Sequence, residues 1–370
     1  MPLSIIIAFI SIIGLLALHE FGHFIIAKKI GIKVEEFGVG YPPRLFGKKI
    51  GGTLYSLNLL PFGAFVKIPG EGGEKSTLED YQRFTEKPVW QRALVLFGGV
   101  LSFWIVAVIL LSIVFGIGAP QAISDEENGS LVNPQVQILA VASNSPAEKA
   151  GIKVGDTIKQ LTVSPLSSPS NQQLTTNKVK EVQEFTERHK GESITLTIQR
   201  GKEVFETSLV PRVSPPEGEG AMGVALARIA EKSYSWWQAP IKGIEATFNL
   251  TFAVISSWGE IFGGLFSGAG LPKGVQFMGP IGIGSLITQA AKVGINYFLQ
   301  FIAIISIYLA IFNVLPIPAL DGGKLLFLGI EKIKGRPINK NIEEKVTTLF
   351  FSLLIALMIW VTIKDISRLF

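Results

Sequence analysis

Four long stretches without charge limit what this chain can fold into. Residues 3–18 carry no charged side chain, and after His19 and Glu20 the apolar run resumes to residue 27. Residues 93–119, 295–320 and 346–363 are uncharged throughout. A helix needs about 20 apolar residues to cross a bilayer core of about 30 Å. The expected class is therefore a polytopic α-helical membrane protein with about four transmembrane helices. The same runs lower the charged fraction to 17%, against about 25% in soluble domains.

The first run does not read as a secretory signal, because residues 1–3 lack Lys and Arg and no small-residue cleavage site follows. Lys28 and Lys29 come directly after it, which places its C-terminal end in the cytoplasm by the positive-inside rule. Segment 28–92 and the loop 322–345 are both rich in Lys and Arg and fit the same face. The net charge of +5 is assigned to these loops and to anionic lipid. No nucleic-acid module accompanies it. The chain has no cysteine, which excludes a disulfide framework, a thiolate metal site and a Cys nucleophile.

The expected organisation follows. Residues 1–27 form the first span, 28–92 a cytoplasmic or membrane-associated segment, and 93–119 the second span. Residues 120–215 form a folded extracytoplasmic domain, with strand-like runs at 136–141, 193–200 and 203–210 and a helical stretch at 179–189. Pro215, Pro216 and Gly218 read as its exit linker. In 216–294, an apolar stretch at 246–258 lies between Glu245 and Glu260, with Trp236, Trp237 and Trp258 suited to a membrane interface. Amphipathic helices lying on the outer surface are expected there, with a fifth span as the alternative. Residues 295–323 form the third span, 324–345 a cytoplasmic loop, and 346–370 the fourth span and tail.

The first span contains His19-Glu20-Phe21-Gly22-His23. Residues four apart share a helix face, so both imidazoles can grip one metal ion while Glu20 lies beside the water that ion polarises. This is the HExxH arrangement of zinc hydrolases. Ionisable groups in an apolar span are expensive and mark a functional site by default. A catalytic zinc takes three protein ligands and leaves one position open. There is no Cys, and the remaining histidine, His189, falls in the soluble domain. A carboxylate is therefore expected as third ligand, and the best candidate is Asp321, at the end of the third span. Pro316 and Pro318 precede it and cannot sustain regular helix. Broken backbone at membrane depth is tolerated where protein or a wet cavity surrounds it. Spans one and three run in one direction if spans alternate, which brings both ligand sets to the cytoplasmic half of the bilayer.

Together, His19-Glu20-Phe21-Gly22-His23 and the Asn313, Pro316, Pro318, Leu320, Asp321, Gly322 pattern resemble the site-2 protease family of intramembrane zinc metalloproteases. The likeness is greatest to the bacterial branch that includes the regulator of sigma-E protease. The resemblance implies that His19, His23 and Asp321 bind Zn²⁺, that Glu20 is the catalytic base and that Asn313 helps hold the substrate. It implies a membrane-associated β-loop within 38–67, for which the residues alone indicate strands with turns at Gly51-Gly52 and Pro61. Residues 277–282 resemble a family segment before the third span. Residues 145–158 resemble a PDZ domain, an α+β module that captures extended peptides at a sheet edge. One copy is evident, and 164–177 reads as a flexible insert.

By resemblance, the substrates are single-span membrane proteins in a bacterial inner membrane, such as anti-sigma factors already trimmed outside, or signal-peptide remnants. The active site would face the cytoplasmic side and the PDZ-like domain the opposite side. The competing reading is a non-proteolytic membrane scaffold whose PDZ-like domain binds partners while zinc is structural or absent. A metal transporter fits less well, since spans two and four lack ionisable residues.

Overall fold

The computed structural model describes residues 2–70, 83–127, 131–163, 173–201, 203–216, 218–268, 270 and 278–367, with side chains from Ile6 onward. Most of the expected flexible insert, together with Phe277, lies outside the described residues. The chain divides into two compact units, Met1–Ile113 with Trp237–Phe370, and Val114–Trp236.

In the first unit, helix α1 spans Pro2–Lys29, strand β1 Glu36–Ile50, strand β2 Thr53–Lys67, and helix α2 Val89–Ile117, whose last turn enters the second unit. α1 ends on Lys28 and Lys29, which complement the negative end of the helix dipole. β1 and β2 join through Gly51 and Gly52 at φ +56° and +80°, the left-handed conformation that a two-residue hairpin turn requires. Arg44–Ile50 pairs with Thr53–Asn58 across that turn, while Glu36–Val39 lies between Leu54–Leu57 and Ala64–Lys67. Pro61, expected as a turn, sits within β2. Leu54–Leu57 runs along Glu36–Val39 in one direction and Ala64–Lys67 in the other, so the chain reverses around Pro61 as expected.

Four described helices are long and apolar enough to cross a membrane: Ile6–Lys29, Val89–Ile117, Ile295–Val314 and Lys340–Ser367. The count agrees with the expectation, and the third is α7 and the fourth α9 in the order that follows. Between them in the chain lie α5 (Gln238–Phe266) and α6 (Pro280–Val293). α5 packs lengthwise against its neighbours. Its Gly243 meets Ser112 of α2, its Thr251 accepts a hydrogen bond from the Trp104 indole at 3.2 Å, and its Trp258 ring lies 4.8 Å from the Phe312 ring of α7. Moving eight residues along α5 moves eight residues backwards along α2, so the two helices run antiparallel side by side. A helix lying across the ends of the spans could touch each neighbour at one level only.

α7 (Ile295–Val314) ends before the proline-rich stretch, and Asp321 opens a separate helix, α8 (Asp321–Lys334), instead of closing the third span. Pro316 and Pro318 lack an N–H, and the chain between the helices is held by short-range bonds, among them Ile317 N–H to Leu315 O at 2.7 Å and Leu320 N–H to Ile317 O at 2.8 Å. The expected loop 324–345 is thus largely helical. α8 stops at Gly335, φ +69°, and α9 already begins at Lys340 (Lys340–Ser367).

The second unit is a sheet flanked by two helices. Its strands are β3 Ala119–Ile123, β4 Val132–Val141, β5 Thr157–Val163, β6 Gln173–Leu174, β7 Ile194–Arg200, β8 Glu203–Leu209 and β9 Val224–Lys232. Their order is β3-β9-β4-β5-β7-β8, with β6 paired to β5. The helices are α3 (Pro146–Lys149) and α4 (Val179–Arg188). α4 turns Val182, Phe185 and Thr186 inward at helical spacing. Val182 and Phe185 meet Ile138, Ile158, Leu161, Leu196 and Ile198 in the core. The expected limit at 215 is too short. β9 lies beyond it and pairs with both β3 and β4. Pro215, Pro216 and Gly218 consequently fall inside the unit and not at its exit, and Arg212 pairs with Glu219 at 2.6 Å beside them.

Candidate metal centre

His19 and His23 project from one face of α1 and are each about 8% exposed. His23 Nδ1 lies 2.9 Å from the Val95 carbonyl oxygen. A carbonyl only accepts, so Nδ1 carries the proton and the neutral ring presents a lone pair at Nε2. That atom is 3.2 Å from His19 Nε2. Asp321 Oδ2 completes the triangle, 3.1 Å from His19 Nε2 and 3.3 Å from His23 Nε2. A tetrahedral zinc with bonds of about 2.0–2.1 Å has ligand–ligand edges of about 3.3–3.4 Å. Asp321 Oδ2 is buried without a hydrogen-bond partner. Two imidazole nitrogens and this unpartnered carboxylate oxygen converge on one point, where a cation would satisfy all three. The donor set therefore fits zinc. Among the described residues this is the one group of three or more such side chains close enough to share an ion.

Backbone proximity creates the pocket. A Cβ on Gly22 would lie 2.3 Å from the Gly98 carbonyl oxygen, and one on Gly98 would lie 2.6 Å from Ile26 Cγ1. α1 and α2 thus touch along small residues, as membrane helices do where they approach most closely. Asp321 is placed similarly. A Cβ on Gly322 would sit 2.2 Å from the Leu315 carbonyl oxygen, and one on Gly323 2.2 Å from that of Ile317. Only glycines let the first turn of α8 press against the broken end of α7, and that pressure carries Asp321 to the histidines. Gly22, Gly98 and Gly99 did not figure among the expected site residues. The glycine pair inside an otherwise apolar run was the available signal.

Glu20 is partly exposed and lines a cavity of about 710 Å³ that also reaches His23 and Asp321. Tyr41 and Phe65 border it from the β-hairpin, and Arg92, Lys324, Glu331 and Lys340 supply a charged wall. Arg92 and Glu331 are paired there. The cavity gives the metal cluster a polar approach, and Glu20 stands within it. Asn313 is not among the lining residues, and its amide donates to the Leu309 carbonyl oxygen within α7 at 2.9 Å. His189 lies in the second unit, at the end of α4, with Nδ1 2.8 Å from Glu192 Oε2.

Membrane-length helices, an HExxH pair joined by a carboxylate, and a cavity with a glutamate beside the cluster together define a membrane-embedded metallopeptidase. The chain matches the model of peptidase family M50 over residues 7–357 and belongs to that family. It is 34% identical over 98% of both chains to a Clostridium perfringens protein provisionally named a zinc metalloprotease. It is 28% identical to the regulator of sigma-W protease RasP of Bacillus subtilis over 100% of each chain. To the regulator of sigma E protease of Haemophilus influenzae it is 27% identical over 97% of this chain and 98% of the other.

Proposed function

We propose that this protein is a zinc-dependent intramembrane protease of the bacterial plasma membrane, hydrolysing peptide bonds within or next to the transmembrane segments of single-span membrane proteins. The observation that carries the reading is the convergence of His19 Nε2, His23 Nε2 and Asp321 Oδ2 within hydrogen-bonding distance of one another. These three residues hold the zinc, which when bound supplies Lewis acidity toward water and a scissile carbonyl. Glu20, one residue along α1 from His19 and in the same cavity as His23 and Asp321, takes the proton of the attacking water and returns it to the leaving amine. A substrate helix hides its amides in its own hydrogen bonds, so it must unwind before attack. The strands beside the cavity offer backbone groups to an extended segment. Asn313 donates to the peptide once its amide leaves the Leu309 carbonyl.

The basic flanks of the first span and of α8 favour a cytoplasmic mouth for the cavity. The second unit then lies on the other side, where its α+β sheet and the Ser145–Asp156 stretch support a PDZ-like module docking peptides by strand addition. The names of the Bacillus and Haemophilus relatives favour membrane-bound regulators of sigma factors as the substrate class.

The test is Glu20→Gln, with zinc content and cleavage of a co-expressed single-span reporter measured on the same preparation. Full zinc and lost cleavage are expected. Cleavage at the wild-type rate would remove Glu20 as the base.

A further inference from the structure

Three residues of α2 spaced one turn apart, Val95, Gly99 and Phe103, face the two histidines. Val95 accepts the His23 Nδ1–H at 2.9 Å. Gly99 leaves room for the same ring, since a Cβ there would be 2.2 Å from Nε2 and 2.3 Å from Cε1. Phe103 faces His19, with ring centroids 4.7 Å apart and planes inclined by only 13°. The two imidazoles are thus held by different means. Metal-binding histidines almost always donate their second ring N–H to an acceptor, which fixes tautomer and orientation. His23 does so. His19 Nδ1 is buried with no hydrogen-bond partner. The surface against which His19 is oriented is the face of Phe103, which is itself fully buried.

Phe103 is in turn held from behind. The hydroxyl of Ser306 on α7, also fully buried, donates to the Phe103 carbonyl oxygen at 2.8 Å. Ala8, Leu15, Val100 and Ile302 pack in the same cluster as its ring. A ring without rotational freedom can fix its neighbour; a mobile one could not.

We infer that Phe103 is a positioning residue of the metal centre, its stacked ring orienting His19 in place of the hydrogen bond that orients His23. The inference rests on the assignment of His19, His23 and Asp321 as metal ligands. Phe103 touches no reacting atom. Its effect is on where His19 Nε2 points, so it acts on metal affinity and coordination geometry before it acts on turnover.

The experiment uses the full-length protein in detergent, with Zn²⁺ and Co²⁺ as the probes. Phe103→Leu removes the aromatic face and keeps an apolar side chain. Loss of an outer-shell partner weakens metal binding about 10–100-fold, and a fall of at least about tenfold in zinc affinity is expected. The visible absorption of the Co²⁺ form, which reports ligand angles, should shift as well. Leu111→Ala is the packing control: it opens a cavity at another fully buried position of α2 and should lower thermal stability while leaving metal affinity and the Co²⁺ spectrum unchanged. Wild-type affinity and spectrum in Phe103→Leu would overturn the inference, and so would an equal loss in Leu111→Ala. Phe103→Met, closer in volume, carries the same comparison if the leucine variant does not assemble. Failure of both to assemble would make Phe103 a packing residue and equally overturn the inference. The ligand assignment is tested separately: if wild type and His23→Ala bind zinc alike, that assignment fails whatever Phe103 does.

Discussion

A methyl group at position 99 would occupy the space of the His23 ring, 2.2 Å from Nε2 and 2.7 Å from Cδ2. Gly99→Ala must therefore push the imidazole off its bond to Val95 or separate α1 from α2. Overpacking of this kind costs about 1–3 kcal/mol, and the loss of zinc should exceed the loss of fold because the displaced group is a ligand. Metal analysis beside a thermal melt checks it, and a variant with full zinc would show that the ring has room to move. A second residue-scale prediction concerns the sheet unit. Asp156 is fully buried and bonds Arg200 through both carboxylate oxygens at 2.7 Å, while its Oδ2 also accepts the Lys153 N–H at 2.8 Å. The carboxylate holds the Arg200 guanidinium above its ordinary pKa, chiefly through that hydrogen bonding. Asp156→Ala leaves a buried N–H and a half-exposed guanidinium without their acceptor, at a cost of about 2–3 kcal/mol. Denaturant unfolding of the full chain should show the sheet unit melting earlier, with zinc content unaffected. At this scale the HExxH pair was legible because its geometry is local, two residues one helical turn apart. Phe103 was not, since nothing in an apolar run distinguishes the one ring that meets a histidine of another helix.

Among the elements, the shortest-range features were read most accurately. The Gly51-Gly52 hairpin, α4 and the cores of β4, β7 and β8 follow from turn chemistry and periodicity. What escaped depended on distant partners. The uncharged run of the fourth span ends at residue 363, before Lys364 and Asp365, yet α9 continues to Ser367 and buries Asp365. Its Oδ2 accepts the N–H groups of Gly279 at 2.9 Å and Gly282 at 2.8 Å, at the start of α6. A carboxylate there satisfies orphan donors and opposes the positive end of the helix dipole. The glycines are required by proximity, as a Cβ on Gly279 would be 2.8 Å from that oxygen. α6 packs against α1 and α7, and its fully buried Ile287 shares the cluster that holds Phe103. Asp365→Ala should loosen α6 from its N-terminus. Hydrogen exchange across 280–293 is expected to accelerate at least about tenfold, a local opening cost of about 1.4 kcal/mol or more, with α8 unchanged. Unaltered exchange in α6 would mean that the cap contributes nothing beyond packing.

For the whole molecule, the sequence supports the number of spans more firmly than the path between them. Hydropathy identifies what must avoid water, and it finds four helices. It does not say what lies beside what. α5 carries Lys242 and Glu245 near one end and Glu260 near the other, leaving 14 uncharged residues, about 21 Å of helix. That is too short to span, which is why a surface position was expected. The contacts with Ser112, Trp104 and Phe312 instead give it a course down the side of α2 toward α7. One flank presents Phe248, Phe252 and Ile255, all exposed, while Glu245, Asn249, Ser256 and Glu260 lie exposed opposite the packed face. The apolar flank suits lipid, and the contacts along α2 hold the helix lengthwise beside that span. Because the chain has no cysteine, single and paired replacements report without background. Trp258→Cys combined with Phe312→Cys should form a disulfide on mild oxidation in native membranes. Ser257→Cys should resist a membrane-impermeant maleimide applied from either side. Rapid labelling at 257 with no cross-link between 258 and 312 would return α5 to the membrane surface and leave that flank of α7 open.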